Sequence, residues 1–214
     1  MLIYKVPLEF AIGGGEAHGE PRIRGMSVER PDQTQMTKTL YLLRHTKALD
    51  AGPADPSKDH ARGLALRGRK DGKSLAMFFA AEDIHVDRIY CSTAKRTRQT
   101  FDLIRTGLEK PPVSFQESLY LAPCDELMAF VQTIPESIKS AMIIGHNPGL
   151  HDLALILIAR SGKNQAKMLD KLRTKLPTGG LCALSFELAS WKKIGAGLAT
   201  LTRFVRPRDL DQDD

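Results

Sequence analysis

Short apolar segments alternate with segments of helical periodicity along most of the chain, and this alternation limits the possible folds more than any other feature. Residues 39–43, 88–91 and 141–145 are apolar runs of strand length. The predicted helices are 66–82, 94–108, 125–133 and 148–160, whereas 163–175 is either helical or looped. Strands connected through helices form parallel sheets that are covered on both faces. The sequence therefore predicts an α/β fold, a three-layer α/β/α sandwich with a mostly parallel central sheet.

The two ends of the chain differ from this alternating region. Residues 1–35 include three consecutive glycines and three prolines without a sustained period, which predicts a flexible N-terminal extension. Met36 is an alternative start of translation, which leaves open whether 1–35 belong to the native protein. Residues 181–188 and 198–205 alternate as two strands joined by a turn near 195–197. We expect one domain over 36–208, followed by an acidic tail at 209–214.

The composition is that of a globular protein and excludes several functional classes. Only 6% of the 214 residues are aromatic, which disfavours a base-stacking surface, so no nucleic acid is expected as a partner. The longest apolar run, 153–159, is far shorter than the roughly 20 residues of a membrane span. Three widely spaced cysteines without a CxxC pair are typical of reduced thiols, and early charges interrupt any secretory signal. We therefore expect a cytoplasmic protein.

Polar clusters follow three of the predicted strands directly. Arg44-His45-Thr46 follows the first, Arg96 lies in the cluster after the second, and His146-Asn147 follows the strand 141–145. In open α/β sheets ligands bind at the carboxyl ends of the strands, so these clusters are expected to meet there. Arginine forks and histidines without a carboxylate indicate an anion site.

Asn147 and Pro148 suggest how a helix supports the same site. Asparagine is a favoured N-cap and proline a favoured first helical residue, so we interpret Asn147 as the N-cap of the helix 148–160. The helix N-terminus would then point toward the bound anion. A neutral histidine among these groups can attack phosphorus and form a phosphohistidine intermediate, a scheme that requires neither a metal nor a cofactor.

Three ordered motifs resemble those of the histidine phosphatase superfamily, and most closely its phosphohistidine phosphatase branch, SixA. They are Leu43-Arg44-His45-Thr46, Ser92-x-x-x-Arg96-x-x-Gln99-Thr100 and Gly145-His146-Asn147-Pro148-Gly149, within a resemblance that covers about residues 38–206. The resemblance implies that His45 is the phosphorylated nucleophile, that Arg44 and Arg96 bind phosphate, and that His146 stabilises the transferring charge. Thr46 and Asn147 are also predicted to bind phosphate.

The sequence departs from the superfamily pattern at three positions. Thr46 stands where glycine is usual, and Thr93 replaces the usual proline. In Leu119-Tyr120-Leu121 a leucine occupies the position of the glutamate that serves many members as general acid. Because an alcohol leaving group benefits from a proton and the P–N bond of phosphohistidine is already labile, this loss favours an N-phosphate substrate. The candidate substitute acids are Asp59, Glu117, Asp125 and Glu126.

The function predicted from these features is metal-independent dephosphorylation of a phosphohistidine-bearing protein, for example a phosphorelay domain. The alternatives are a small-molecule phosphomonoesterase of the same superfamily and a non-catalytic module that binds phosphate or a polyanion. The remaining histidines, at positions 18, 60, 85 and 151, are interpreted as structural or solvated. The basic stretches 58–73 and 160–175 are interpreted as solvated faces, or alternatively as flanks of the pocket that attract an anionic partner.

Overall fold

The structure is a computed structural model and describes residues 37–50, 58–159 and 165–210. In this part of the chain six strands form one mixed sheet in the order β3-β2-β4-β1-β5-β6. The strands are β1 Thr37–Arg44, β2 Arg88–Ser92, β3 Val113–Gln116, β4 Ser140–Gly145, β5 Leu181–Glu187 and β6 Thr200–Val205. The helices are α1 Leu66–Ala81, α2 Lys95–Ile104, α3 Cys124–Gln132, α4 Gly149–Leu157, α5 Ala166–Thr174 and α6 Pro207–Leu210.

Helices cover both faces of the sheet, as the three-layer prediction requires. Side chains of β4 alternate between the faces: Ile143 packs with α3, α4 and α5, and Ile144 packs with α1 and α2. This alternation follows from the two-residue period of a strand. The sheet is parallel from β3 through β1, whereas β5 and β6 pair antiparallel. The predicted fold class is confirmed.

The element boundaries differ from the predictions at a few places. The short strand β3 was not predicted, because its four residues are half-buried or exposed at the sheet edge and carry no clear apolar alternation. The helix predicted over 148–160 ends at Leu157, and the one predicted over 94–108 passes into a 3₁₀ turn at Arg105–Gly107. The predicted N-terminal extension and most of the acidic tail lie outside the described residues.

The strand order places three carboxyl ends side by side. β1, β4 and β2 are parallel neighbours, with Arg44 in register with Gly145 and Cys91 in register with Ile144. The loops that leave these strands therefore start at the same edge of the sheet. No helix in the described part of the chain is long and apolar enough to cross a membrane.

Candidate active site

Two hydrogen bonds of its own backbone and one of the next residue hold His45 at the end of β1. Its N–H donates to the carbonyl of Gly145 over 3.2 Å, and its own carbonyl accepts from Gly179 N over 3.0 Å. The next residue, Thr46, donates its N–H to Thr100 Oγ1 of α2 over 3.1 Å. These contacts bury His45 to 7% exposure and restrict how its ring can move.

The His45 ring is prepared to act as a nucleophile. Its Nδ1 lies 2.8 Å from the carbonyl oxygen of Thr46. Because a carbonyl only accepts, Nδ1 carries the proton and Nε2 keeps a free lone pair. Burial lowers the pKa of His45 to about 4, and the charges of Arg96 and Arg44 contribute to that shift. The ring is therefore neutral near pH 7 and can attack an electrophilic phosphorus through Nε2.

His146 lies opposite His45, with ring centroids 5.3 Å apart. Its Nδ1 lies 3.2 Å from Arg96 Nη2, and its Nε2 lies 2.9 Å from Ser92 Oγ. A guanidinium only donates, so Nδ1 accepts, and the Nε2–H of the neutral ring donates to Ser92 Oγ. Burial and the charge of Arg96 lower the pKa of His146 to about 3. The two histidines are thus both neutral before an anion binds.

Two arginines supply the positive charge. Arg96 is almost fully buried, at 2% exposure, and Arg44 donates Nη1 to the Leu176 carbonyl over 3.0 Å. The Nε atoms of both arginines are buried and have no hydrogen-bond partner among the described residues. A buried donor without an acceptor is unfavourable, so these two N–H groups favour an incoming oxyanion. The predicted residues Arg44, His45, Arg96 and His146 are thus brought together.

Asp59 orients Arg96, a role that sequence reasoning did not identify. Its carbonyl accepts from Arg96 Nη1 over 2.8 Å and its Oδ2 accepts from Arg96 Nη2 over 3.0 Å. Oδ2 also accepts from the Tyr120 hydroxyl, and Oδ1 accepts from Arg62 Nη2, each over 2.7 Å. The only signal in the sequence is the i, i+3 spacing of Asp59 and Arg62, which is too common to identify a site.

The same contacts indicate that Asp59 is ionised. Burial raises its pKa, but the hydrogen bond from Tyr120 and the charges of Arg96 and Arg62 outweigh burial and hold the pKa below its usual value. An ionised carboxylate has no proton to give to a leaving group. Among the substitute acids, Asp59 therefore serves to position Arg96 rather than to protonate a substrate.

The other acidic candidates lie outside this cluster or at its rim. Glu117 is exposed and accepts a hydrogen bond from the Thr93 hydroxyl, which in turn accepts from His60 Nε2 over 2.9 Å. Asp125 and Glu126 are exposed in the first turn of α3. Leu121, which the resemblance places at the position of a general acid, is 49% exposed.

Two of the remaining histidines behave as expected, and His18 lies outside the described residues. His85 forms ion pairs with Asp87 and Glu109, and His151 bonds to the carbonyl of Leu172. His60 differs, because its ring packs edge-on against Tyr120 at 4.8 Å and so lies at the rim of the site. Sequence reasoning missed this placement because the loop around His60 shows no periodic pattern.

The N-cap interpretation of Asn147 is wrong. The helix α4 begins at Gly149 with Pro148 before it, and no side chain caps it. The Asn147 amide instead donates to the carbonyl of Leu176 over 3.0 Å, the same carbonyl that accepts from Arg44. The competing tertiary acceptor thus outweighs the local capping preference. Phosphate binding by Asn147 stays a prediction.

Thr46 is fully buried against α2. Its hydroxyl lies 3.3 Å from Thr100 Oγ1, and its N–H donates to the same oxygen. These contacts position the chain after His45, and binding of phosphate by Thr46 stays a prediction.

No group of three or more His, Cys, Asp or Glu side chains suited to a metal ion is present in the ranges 37–50, 58–159 and 165–210.

Comparisons with known proteins identify the family and the fold. A family model described as "Histidine phosphatase superfamily (branch 1)" matches residues 40–120. An uncharacterized protein of Mycobacterium tuberculosis is 32% identical over 166 residues, which cover 78% of this chain and all of that protein.

Solved structures share the fold. The structure of a candidate phosphohistidine phosphatase SixA from Nakamurella multipartitia superposes with a TM-score of 0.66 at 27% identity, covering 80% of this chain and 96% of that one. The corresponding SixA candidate from Agrobacterium tumefaciens gives 0.65 at 26% identity, covering 79% and 98%. An α-ribazole-5′-phosphate phosphatase candidate from Escherichia coli gives 0.53 at 15% identity, covering 79% and 98%, a likeness of fold alone.

Proposed function

Since the chain belongs to the histidine phosphatase superfamily and is a phosphatase, we propose that its substrate is phosphohistidine on a protein. The phosphorylated protein would be a signalling partner such as a phosphorelay domain, and the reaction would take place in the cytoplasm. The described cysteines, Cys91, Cys124 and Cys182, are free thiols, which suits a reducing compartment.

In the first step, His45 takes the phosphoryl group from the substrate. The Nε2 lone pair of His45 forms a bond to phosphorus while the P–N bond to the substrate imidazole breaks, and the electron pair leaves with that nitrogen. Arg44 and Arg96 bind the non-bridging oxygens, and their fixed charges stabilise the charge that spreads over these oxygens. The Nδ1–H of His45 stays bonded to the Thr46 carbonyl, which supports the positive charge that develops on the ring.

In the second step, water releases phosphate from His45. The water oxygen bonds to phosphorus, the P–Nε2 bond breaks, and a proton from water passes to solvent or to the phosphate. His45 returns to its neutral form, which its lowered pKa favours. No step needs a protonated carboxylate.

One observation carries the choice of an N-phosphate over an alcohol phosphate. Asp59, the carboxylate that contacts Arg96 among the described residues, is also bonded to Arg62 and Tyr120 and is ionised, and the resemblance places Leu121 at the position of the usual acid. A leaving imidazole takes up its own proton, whereas an alkoxide needs an acid. This arrangement supports phosphohistidine as the substrate.

The proposal is tested with a histidine-containing protein phosphorylated by phosphoramidate. We expect phosphate release by the wild-type protein and, in quenched reactions, a phosphohistidine on the enzyme. His45→Ala should lose at least about 10³-fold in turnover because the nucleophile is removed. His85→Ala, an exposed histidine outside the site, is the matched control and should retain full activity.

Two outcomes would contradict the proposal. Undiminished turnover by His45→Ala would exclude the phosphoenzyme mechanism. A large preference of the wild-type protein for sugar or nucleotide phosphates over phosphohistidine would favour a small-molecule phosphomonoesterase.

A further inference from the structure

A basic groove adjoins the active site on the side of Arg44. It has a volume of about 770 Å³ and lies between the first turns of α1, the C-terminal end of α5 and the segment 206–208. Seven of the twelve described residues that line it are Arg or Lys, and one, Asp71, is acidic. This sign imbalance creates a positive potential along the groove.

Three of these cations are available to a ligand. Lys171, Lys175 and Arg208 are exposed, and no carboxylate of the described residues lies at ion-pair distance from them, although the charge of Lys171 contributes to lowering the pKa of Asp209. Arg206 differs, because Nε and Nη2 bind the two oxygens of Asp209 over 2.7 and 2.6 Å. Arg206 therefore builds the wall of the groove, whereas the three exposed cations supply its net charge.

The groove and the catalytic cluster share one residue, Arg44. Pro177 and Thr178 line the groove and belong to the loop 176–180, whose Gly179 N–H donates to the carbonyls of Arg44 and His45 over 3.1 and 3.0 Å. Arg44 lines the groove and also contributes to the lowered pKa of His45 through its charge. Because Arg44 lines the groove and directly precedes His45, the groove begins next to the reacting histidine.

The chemistry of the lining favours an acidic peptide over a nucleic acid. The described lining residues include no aromatic side chain, and stacking on aromatic rings supplies much of the affinity for unpaired bases. The walls instead combine proline and threonine surfaces with lysines on flexible stems. Such walls accept a polypeptide backbone and leave the ammonium groups free to meet carboxylates.

We infer that this groove binds an acidic segment of the phosphorylated partner, next to its phosphohistidine. This inference rests on the proposed function and adds the feature by which a partner is recognised. The groove residues Lys171, Lys175 and Arg208 act in binding and take no part in the chemical steps.

The test uses two synthetic peptides that carry one phosphohistidine each, followed by four Asp/Glu residues in one peptide and by four Asn/Gln residues in the other. For the wild-type protein we expect kcat/KM to be about tenfold higher for the acidic peptide at low salt, which corresponds to several weak charge pairs. The preference should shrink as the ionic strength rises from about 0.05 M to about 0.5 M, because salt screens exposed charges.

Reversing the charge of the groove cations tests whether the groove causes the preference for the acidic peptide. Lys171→Glu/Lys175→Glu and Arg208→Glu should lose the preference for the acidic peptide, while their activity on phosphoramidate stays at the wild-type level. Lys192→Glu/Lys193→Glu is the matched control, because these lysines are equally exposed on another surface, and it should keep the preference. Thermal unfolding of every variant checks that the fold is retained.

The outcomes separate this inference from the proposed function. Equal activity of the wild-type protein on both peptides, or a preference that persists in the groove variants, would overturn the groove assignment and leave the phosphatase proposal standing. Inhibition by a nucleic acid homopolymer without any preference for the acidic peptide would also overturn it. If the wild-type protein hydrolyses neither peptide, the proposed function itself fails.

Discussion

At the residue scale, Asp59 holds the Arg96 guanidinium in place, and the proposed mechanism gives the Asp59 carboxylate no chemical step. Arg96 is buried, and Asp59 binds both of its terminal nitrogens, while Tyr120 and Arg62 fix the Asp59 carboxylate. A buried guanidinium would otherwise carry an uncompensated charge and a choice of rotamers. Asp59 neutralises this charge and fixes the rotamer of Arg96. The Arg96 Nε has no hydrogen-bond partner among the described residues and can bind an oxyanion.

Asp59→Asn is expected to reduce kcat/KM about tenfold to a hundredfold, because Arg96 loses its counter-charge and its fixed orientation. The measurement is phosphate release from a phosphohistidine protein, with thermal unfolding as a check on the fold. Asp125→Asn, an exposed carboxylate in the first turn of α3, is the control and should leave kcat/KM unchanged. An unchanged kcat/KM in Asp59→Asn would contradict the positioning role.

At the element scale, the start of α4 places His146. The strand β4 ends at Gly145, His146 follows, and the helix begins at Gly149. A Cβ on Gly149 would lie 2.0 Å from the carbonyl oxygen of Ala122, so only glycine allows this close approach. The fit of this backbone against the segment before α3 therefore determines the position of the loop that carries His146.

Gly149→Ala should lower the free energy of unfolding by about 3 kcal/mol, because the backbone of Ala122 must move to admit the methyl group. Urea unfolding followed by circular dichroism measures the change. At Gly195 an added Cβ would have Leu198 Cδ1 as its nearest neighbour, at 3.9 Å, so Gly195→Ala is the control and should change stability by less than about 0.5 kcal/mol. Equal stabilities of the two variants would refute the close-packing argument.

The central elements could be predicted from the sequence, whereas the edge strand β3 could not. The interior strands β1 and β4 are nearly continuous apolar runs because helices cover both of their faces. The edge strand β3 is short and partly exposed, so little of its sequence is constrained by burial. For the same reason helix ends were predicted less well than helix centres, since a last turn such as Arg105–Gly107 buries none of its residues.

At the scale of the whole molecule, the two buried histidines of the site make the free energy of unfolding depend on pH. The pKa of His45 is lowered to about 4 and that of His146 to about 3, whereas an unfolded histidine titrates near 6.5. Between these values the unfolded chain binds more protons than the folded one. The free energy of unfolding therefore falls as the pH decreases from about 6.5 toward 4.

The expected slope is up to roughly 1.4 kcal/mol per pH unit for each histidine. Urea unfolding at several pH values in this window measures it, and His45→Gln should show a shallower dependence than the wild-type protein. The pKa values of Asp59 and Asp87 are also lowered in the folded protein. Their contribution to the free energy of unfolding is lost only when the pH falls below the usual pKa of an aspartate, which lies below this pH window. The same slope in both proteins would contradict the buried, neutral state of His45.

The sequence by itself was enough to predict the alternation of strands and helices and the meeting of Arg44, His45, Arg96 and His146 through three motifs that follow strands. These features can be identified within short segments, because residue type and the periodicity of buried positions are local properties of the sequence. Only the tertiary structure decided that Asp59 orients Arg96, that Asn147 bonds to Leu176 instead of capping α4, and that a basic groove adjoins Arg44. Each of these depends on segments that are distant in the chain. Asp59 meets Arg96 because the loops after the parallel strands β1 and β2, which flank β4, leave the same edge of the sheet, and the segment around Leu176 reaches that edge because β5 runs antiparallel to β1.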